Sequence, residues 1–117
     1  MNPQDWRVEF YVTARGSRPA LEFINHLPVQ EQAKVRNALR LLREFGTQLG
    51  MPHAKHLRGH RRLWELRPGD QRLLYFTHAG RRFIILCGFT KKGRRTPPAE
   101  IRRAERYQAD FLERGND

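Results

Sequence analysis

One cysteine, Cys87, is the only thiol in this 117-residue chain. A single thiol excludes an internal disulfide framework and any multi-cysteine metal site. Cys87 sits in the apolar run from Phe83 to Phe89 and reads as a small core residue. A reactive thiolate would need exposure and a cationic setting. Acidic residues are also scarce: 12 Asp and Glu stand against 23 Lys and Arg, a formal charge of +11 with an isoelectric point near 11.2. A field of that sign draws polyanions, and bidentate arginine outnumbers lysine. Nucleic acid, the ribosome or an acidic protein is therefore the expected class of partner, against the bland alternative of a solubilising surface. No apolar run approaches membrane length, and Met1 to Trp6 have neither the basic flank nor the apolar core of a signal peptide. A cytoplasmic protein with no membrane partner is expected. Without repeats, low-complexity tracts or linkers, residues 1–117 read as one domain.

Periodicity gives the elements. Trp6, Val8, Phe10 and Val12 alternate with Arg7, Glu9 and Tyr11, as in a strand with one buried face. Gly16 ends it. Ser17 can cap a short helix carrying Leu21, Ile24 and Leu27 on one stripe. A second helix from about Pro28 to Gly46 places Val35, Ala38, Leu39, Leu42 and Phe45 at helical spacing. Residues 47–62 are irregular and basic. Three short strands follow, turning at Pro68-Gly69-Asp70 and at His78-Ala79-Gly80. Thr96 can cap a last helix that begins at Pro97 and Pro98 and buries Ile101, Ala104, Tyr107 and Phe111.

The three strands carry the most informative residues. In the first, Trp64 and Leu66 share one face while Leu63, Glu65 and Arg67 share the other. In the second, both faces are largely apolar and Arg72 stands at the start. In the third, Phe83, Ile85, Cys87 and Phe89 alternate with Ile84 and Leu86, and Lys91 and Lys92 close the run. A meander would draw Arg67, Arg72 and the two lysines toward one region, with the register left open.

Leu57-Arg58-Gly59, the Leu63 to Arg67 strand, the Arg72 to Phe76 strand, the Phe89 to Lys92 strand end and Thr96-Pro97, in this order and spacing, resemble the HigB-like toxins of the RelE superfamily. These are the ribosome-dependent mRNA interferases of bacterial type II toxin-antitoxin modules. The resemblance spans nearly the whole chain. It implies an α+β fold: a small antiparallel sheet, made of an N-terminal strand and a three-stranded meander, with two helices on one face, a C-terminal helix, and a basic concave face open to RNA. It implies mRNA on the ribosome as substrate, and as partner a cognate antitoxin, a small helix-turn-helix protein of HigA type. It also implies a metal-free endoribonuclease without cofactor, in which a ribose 2′-OH attacks the adjacent phosphorus.

Such chemistry needs cations for the pentavalent charge, a base for the 2′-OH and an acid for the leaving 5′-oxygen. Arg72 matches the arginine of the family's Arg-x-x-Tyr strand and is assigned to the scissile phosphate. Arg67, Lys91 and Lys92 would clamp neighbouring charge, with an ion pair to Glu65 or Glu9 as the alternative for Arg67. Lys55, Arg58, Arg61, Arg94, Arg95 and Tyr75 are assigned to RNA binding, with a core aromatic as the alternative for Tyr75. Relatives place a Tyr or His soon after the last strand's cation, and Gly93 to Pro98 offers neither. The candidates for acid and base are therefore Glu65, a carboxylate among arginines, and His60, because an imidazole exchanges protons near neutrality. The spacing of His53, His56 and His60 could hold a metal, but a basic RNA-facing loop fits this segment better. The fold also serves ParE-like toxins that inhibit gyrase without cutting RNA, and a non-catalytic RNA or ribosome binder stays open as well.

Overall fold

A computed structural model of the chain describes residues 6–60 and 62–115. The elements run β1 (Arg7–Phe10), α1 (Pro19–Asn25), α2 (Val29–Phe45), a 3-10 turn (Gly46–Gln48), β2 (Ala54–His56), β3 (Trp64–Leu66), β4 (Gln71–His78), β5 (Arg82–Thr90) and α3 (Pro98–Glu113). Among the described residues the strands form one sheet in the order β1-β5-β4-β3-β2. No helix of the described residues is long and apolar enough to cross a membrane.

Two features of this sheet differ from the sequence expectation. First, it is mixed and five-stranded: β1 runs parallel to β5, with Arg7 opposite Arg82 and Phe10 opposite Ile85. The β4–β5 hairpin leaves one edge of β5 open, and β1 covers it, which removes a long exposed edge. Second, Ala54–His56 forms an edge strand within the segment expected to be irregular. It pairs with Trp64–Leu66 through backbone bonds that need no apolar alternation.

Both faces of the sheet are covered. Val35, Ala38 and Leu42 of α2 and Ala20 and Ile24 of α1 pack with Leu66, Leu73, Tyr75, Phe83 and Ile85. On the opposite face Ala104 and Phe111 of α3 pack with Leu63, Leu74, Phe76, Ile84, Leu86, Cys87 and Phe89. Each fully buried large side chain contributes about 1.5–3 kcal/mol. The second face is thus closed by α3 rather than left open. Cys87 is fully buried, and burial pushes its thiol up to about 11.

An irregularity in β5 decides which residues reach α3. Leu74 lies opposite Cys87, yet Tyr75 lies opposite Ile85, so Leu86 is an extra residue. Such a bulge resets the alternation beyond it. Cys87 and Phe89 therefore join Ile84 and Leu86 on the α3 face, instead of following Phe83 and Ile85. Gly88 turns to the other face, where a Cβ would lie 2.4 Å from the Phe23 ring of α1.

Neither expected hydroxyl cap forms. Ser17 Oγ is 2.8 Å from Thr13 Oγ1, and Arg18 is the residue that precedes α1. Pro97 precedes α3, and the Thr96 hydroxyl donates to Glu65 rather than to the helix.

Candidate functional site

The N-terminal half of α3 does not lie flat against β2 and β3. Between them runs an open cleft of about 820 Å³. Lys55 of β2, Arg58 and His60 of the β2–β3 loop, Arg94 and Arg95 of the β5–α3 loop, and Arg102 and Glu105 of α3 line it, with Glu65 and Thr96. Backbone bonds hold the loop closed: His60 N–H donates to Leu57, Leu63 N–H to His60 and Leu57 N–H to Leu63. Gly59 turns it at a φ of 83°, a conformation glycine adopts without steric cost.

Glu65 is the buried acid of this cleft, 3% exposed. Its Oε2 accepts the Thr96 hydroxyl at 2.6 Å, which ties the mouth of the β5–α3 loop to β3. Its Oε1 faces Arg67 Nε at 3.5 Å and Arg72 Nε at 3.9 Å. Two guanidiniums therefore stand behind one carboxylate, and the buried group carries net positive charge. Burial, with the like charge of Arg67 added, draws the Arg72 guanidinium below the ordinary arginine range.

These distances divide the residues singled out in the sequence. Lys55, Arg58, His60, Glu65, Arg94 and Arg95 come together in the cleft. Arg67 has its Nε buried behind Glu65, and Nη1 donates to Met51 Sδ at 3.7 Å. Arg72 is not the solvent-facing residue that the start of a strand suggests. It is 6% exposed, and its Nη1 donates to the Gly69 and Gln71 carbonyls at 2.8 and 2.7 Å. The tight Pro68–Asp70 turn presents carbonyls that the arginine satisfies. Lys91 and Lys92 are exposed and do not line the cleft, and Lys91 Nζ lies 3.9 Å from Asp70. Tyr75 sits on the opposite face, edge-on to Phe83 at 5.6 Å, so it is a core aromatic. Burial raises its hydroxyl above the ordinary tyrosine range. Arg61 lies outside the described residues. His53, His56 and His60 do not converge: among the described residues no three His, Cys, Asp or Glu side chains meet as metal ligands.

Sequence reasoning missed Thr96 as a partner of Glu65, along with Arg102 and Glu105. Glu105 Oε2 lies 3.0 Å from His60 Nδ1, joining α3 to the β2–β3 loop. Arg102 falls off the buried stripe of Ile101, Ala104, Tyr107 and Phe111 by helical spacing alone. Its role in the cleft depended on which sheet face α3 covers.

Solved structures share this architecture. The chain is similar to a chain of the archaeal RelE-RelB complex from Pyrococcus horikoshii OT3, with a TM-score of 0.57 at 18% identity over 78% of this chain and 99% of the other. It is also similar to a chain of the RelB-RelE antitoxin-toxin complex from Methanococcus jannaschii, with a TM-score of 0.52 at 12% identity over 62% of this chain and 85% of the other. At such identities the likeness shows a RelE-like fold. No curated protein matches the sequence significantly. A family model described as phage derived protein Gp49-like (DUF891) matches residues 22–108, a span that holds β2–β5, most of α3 and every described cleft residue, and the chain belongs to that family.

Proposed function

We propose that this chain is the toxin of a type II toxin-antitoxin module, a HigB-like ribosome-dependent mRNA endoribonuclease held inactive by a small helix-turn-helix antitoxin of HigA type. One observation carries the chemistry: a buried carboxylate, Glu65, at the base of a cleft whose walls carry Lys55, Arg58, Arg94, Arg95 and Arg102. A phosphodiester backbone fits such walls. The RelE-like fold and the antitoxin-bound state of its structural neighbours support the biological setting.

In this reaction Glu65 takes the 2′-OH proton as that oxygen attacks phosphorus. Thr96 and the two arginines behind it fix the carboxylate's position. The cleft cations hold the non-bridging oxygens as negative charge grows on them. Arg72 acts from beneath, through Glu65 and through its field, rather than by direct contact. His60 supplies the proton to the departing 5′-oxygen. No step uses a metal, and the products are a 2′,3′-cyclic phosphate and a 5′-hydroxyl.

The burial of Arg72, the arginine matched to the family's strand motif, favours one second reading: a basic cleft that binds RNA or the ribosome without cutting. Induced expression without the partner separates the two. Growth arrest with cleavage of translated transcripts, and slow cutting of naked RNA, is expected for the nuclease, because substrate and catalytic groups must be positioned together. Glu65→Gln should lower cleavage by about a hundredfold. Arrest with intact transcripts would leave the binding-only reading.

A further inference from the structure

A cleft built for phosphates has no electrostatic use for an exposed carboxylate on its wall, yet Glu105 occupies that position. Its side chain is 45% exposed and stands on the same helix face region as Arg102, which also lines the cleft. Where Glu65 is engaged by Thr96 and two arginines, Glu105 is engaged by the ring nitrogen Nδ1 of His60 at 3.0 Å. A carboxylate on Nδ1 makes that nitrogen the donor and sets the orientation of the ring, leaving Nε2 to serve a reacting atom.

We infer that Glu105 is the positioning residue for His60, fixing it as the general acid of RNA cleavage. This rests on the nuclease reading above. In the protonated imidazole both nitrogens carry hydrogen, and Nδ1–H is held by Glu105. The 2′-oxygen–phosphorus bond forms as the 2′-OH proton passes to Glu65. The phosphorus–5′-oxygen bond then breaks as Nε2–H passes to the leaving oxygen. Protons balance, and the neutral imidazole retains its Nδ1–H on Glu105. The dyad links the β2–β3 loop to α3, so the acid is ordered only when helix and sheet are docked.

The test uses the full chain on programmed ribosomes with two synthetic mRNAs, one with the natural linkage and one with sulfur replacing the bridging 5′-oxygen. A thiolate leaves without a proton, so it has no need of the acid. Glu105→Ala should lower kcat on the natural linkage by about tenfold with KM unchanged, a fraction of what a general acid contributes. On the sulfur linkage it should match the parent within about twofold. Glu105→Gln keeps an acceptor for Nδ1–H and should recover most of the rate. An equal defect on both linkages, a parent-like rate, or a faster variant relieved of charge repulsion would each overturn the proposal. Nitrogen-15 NMR of His60 in the free protein reads the dyad without activity. The parent should show the Nδ1–H form when the ring is neutral, and Glu105→Ala should lose that preference. A parent lacking that form overturns the proposal, whereas absent cleavage with the dyad intact would overturn the nuclease reading.

Discussion

Glu65 and Arg72 face each other diagonally across adjacent strands, Oε1 to Nε 3.9 Å, and each is more than nine-tenths buried. The same arginine donates to the Gly69 and Gln71 carbonyls, so it joins three oxygen-bearing groups.

Arg72→Ala should therefore cost stability as well as activity. It strands the Gly69 and Gln71 carbonyls and leaves Glu65 with Arg67 as its remaining guanidinium, a loss of about 3 kcal/mol. Urea denaturation measures it. A variant within 0.5 kcal/mol of the parent, taken as roughly the scatter of surface substitutions, would mean that these buried contacts contribute little.

The exposed Arg94 and Arg95 should behave in the opposite way. Replacing both with alanine should leave the melting temperature nearly unchanged, weaken RNA or ribosome affinity, and lower the slope of affinity against salt by about two. An unchanged slope would place the phosphates elsewhere.

Acid should expose a different pair. Arg82 Nε and Nη2 each donate to Glu9 at 2.8 Å, binding β5 to β1. The Arg82 hydrogen bonds, opposed by burial and reinforced by the charges of Arg82, Arg7 and His78, hold the Glu9 carboxyl below its ordinary 4.5. A carboxylate with a depressed folded pKa stabilises fully above its unfolded pKa, and that contribution is lost as pH falls through the folded value. The parent should exceed Glu9→Gln by about 1 kcal/mol at neutrality, a figure discounted for the partial exposure of Glu9. The gap should close as pH drops below about 4.5. A gap that persists at pH 3 would assign the difference to packing.

Gly88→Ala should destabilise by about 2 kcal/mol, because the added methyl would meet the Phe23 ring at 2.4 Å and Leu73 Cδ2 at 2.8 Å. Combining it with Phe23→Leu should recover part of the loss, a coupling that a double-mutant cycle reads directly. Strict additivity would show that the two positions do not compete for space.

The helices and the meander were legible because their apolar spacing is set by their own geometry. The two apolar faces of β4 belong to a sheet covered on both sides, whereas the expectation left one face open. What spacing could not give was the bulge at Leu86, which depends on pairing across the hairpin and moves Cys87 and Phe89 to the α3 face. Nor could it give β2, three residues long with one inward side chain, Ala54. The cleft was half legible: Lys55, Arg58, His60, Glu65, Arg94 and Arg95 cluster in short segments, whereas Glu105 reaches His60 from 45 residues away. Arg72 was misplaced because strand position says nothing about which carbonyls a neighbouring turn will offer.

The parallel pairing of β1 with β5 also sets a schedule for synthesis. Glu9 and Arg82 are separated by 73 residues in sequence. At translation rates of about 5–20 residues per second, β1 waits roughly 4 to 15 seconds for its neighbour to be made. Until then the edge strand has no partner and α3, the far wall of the cleft, does not exist. A growing chain therefore carries the cations of one wall, Lys55 and Arg58, before the opposite wall with Arg102 and Glu105 has been made, and the cleft is completed last.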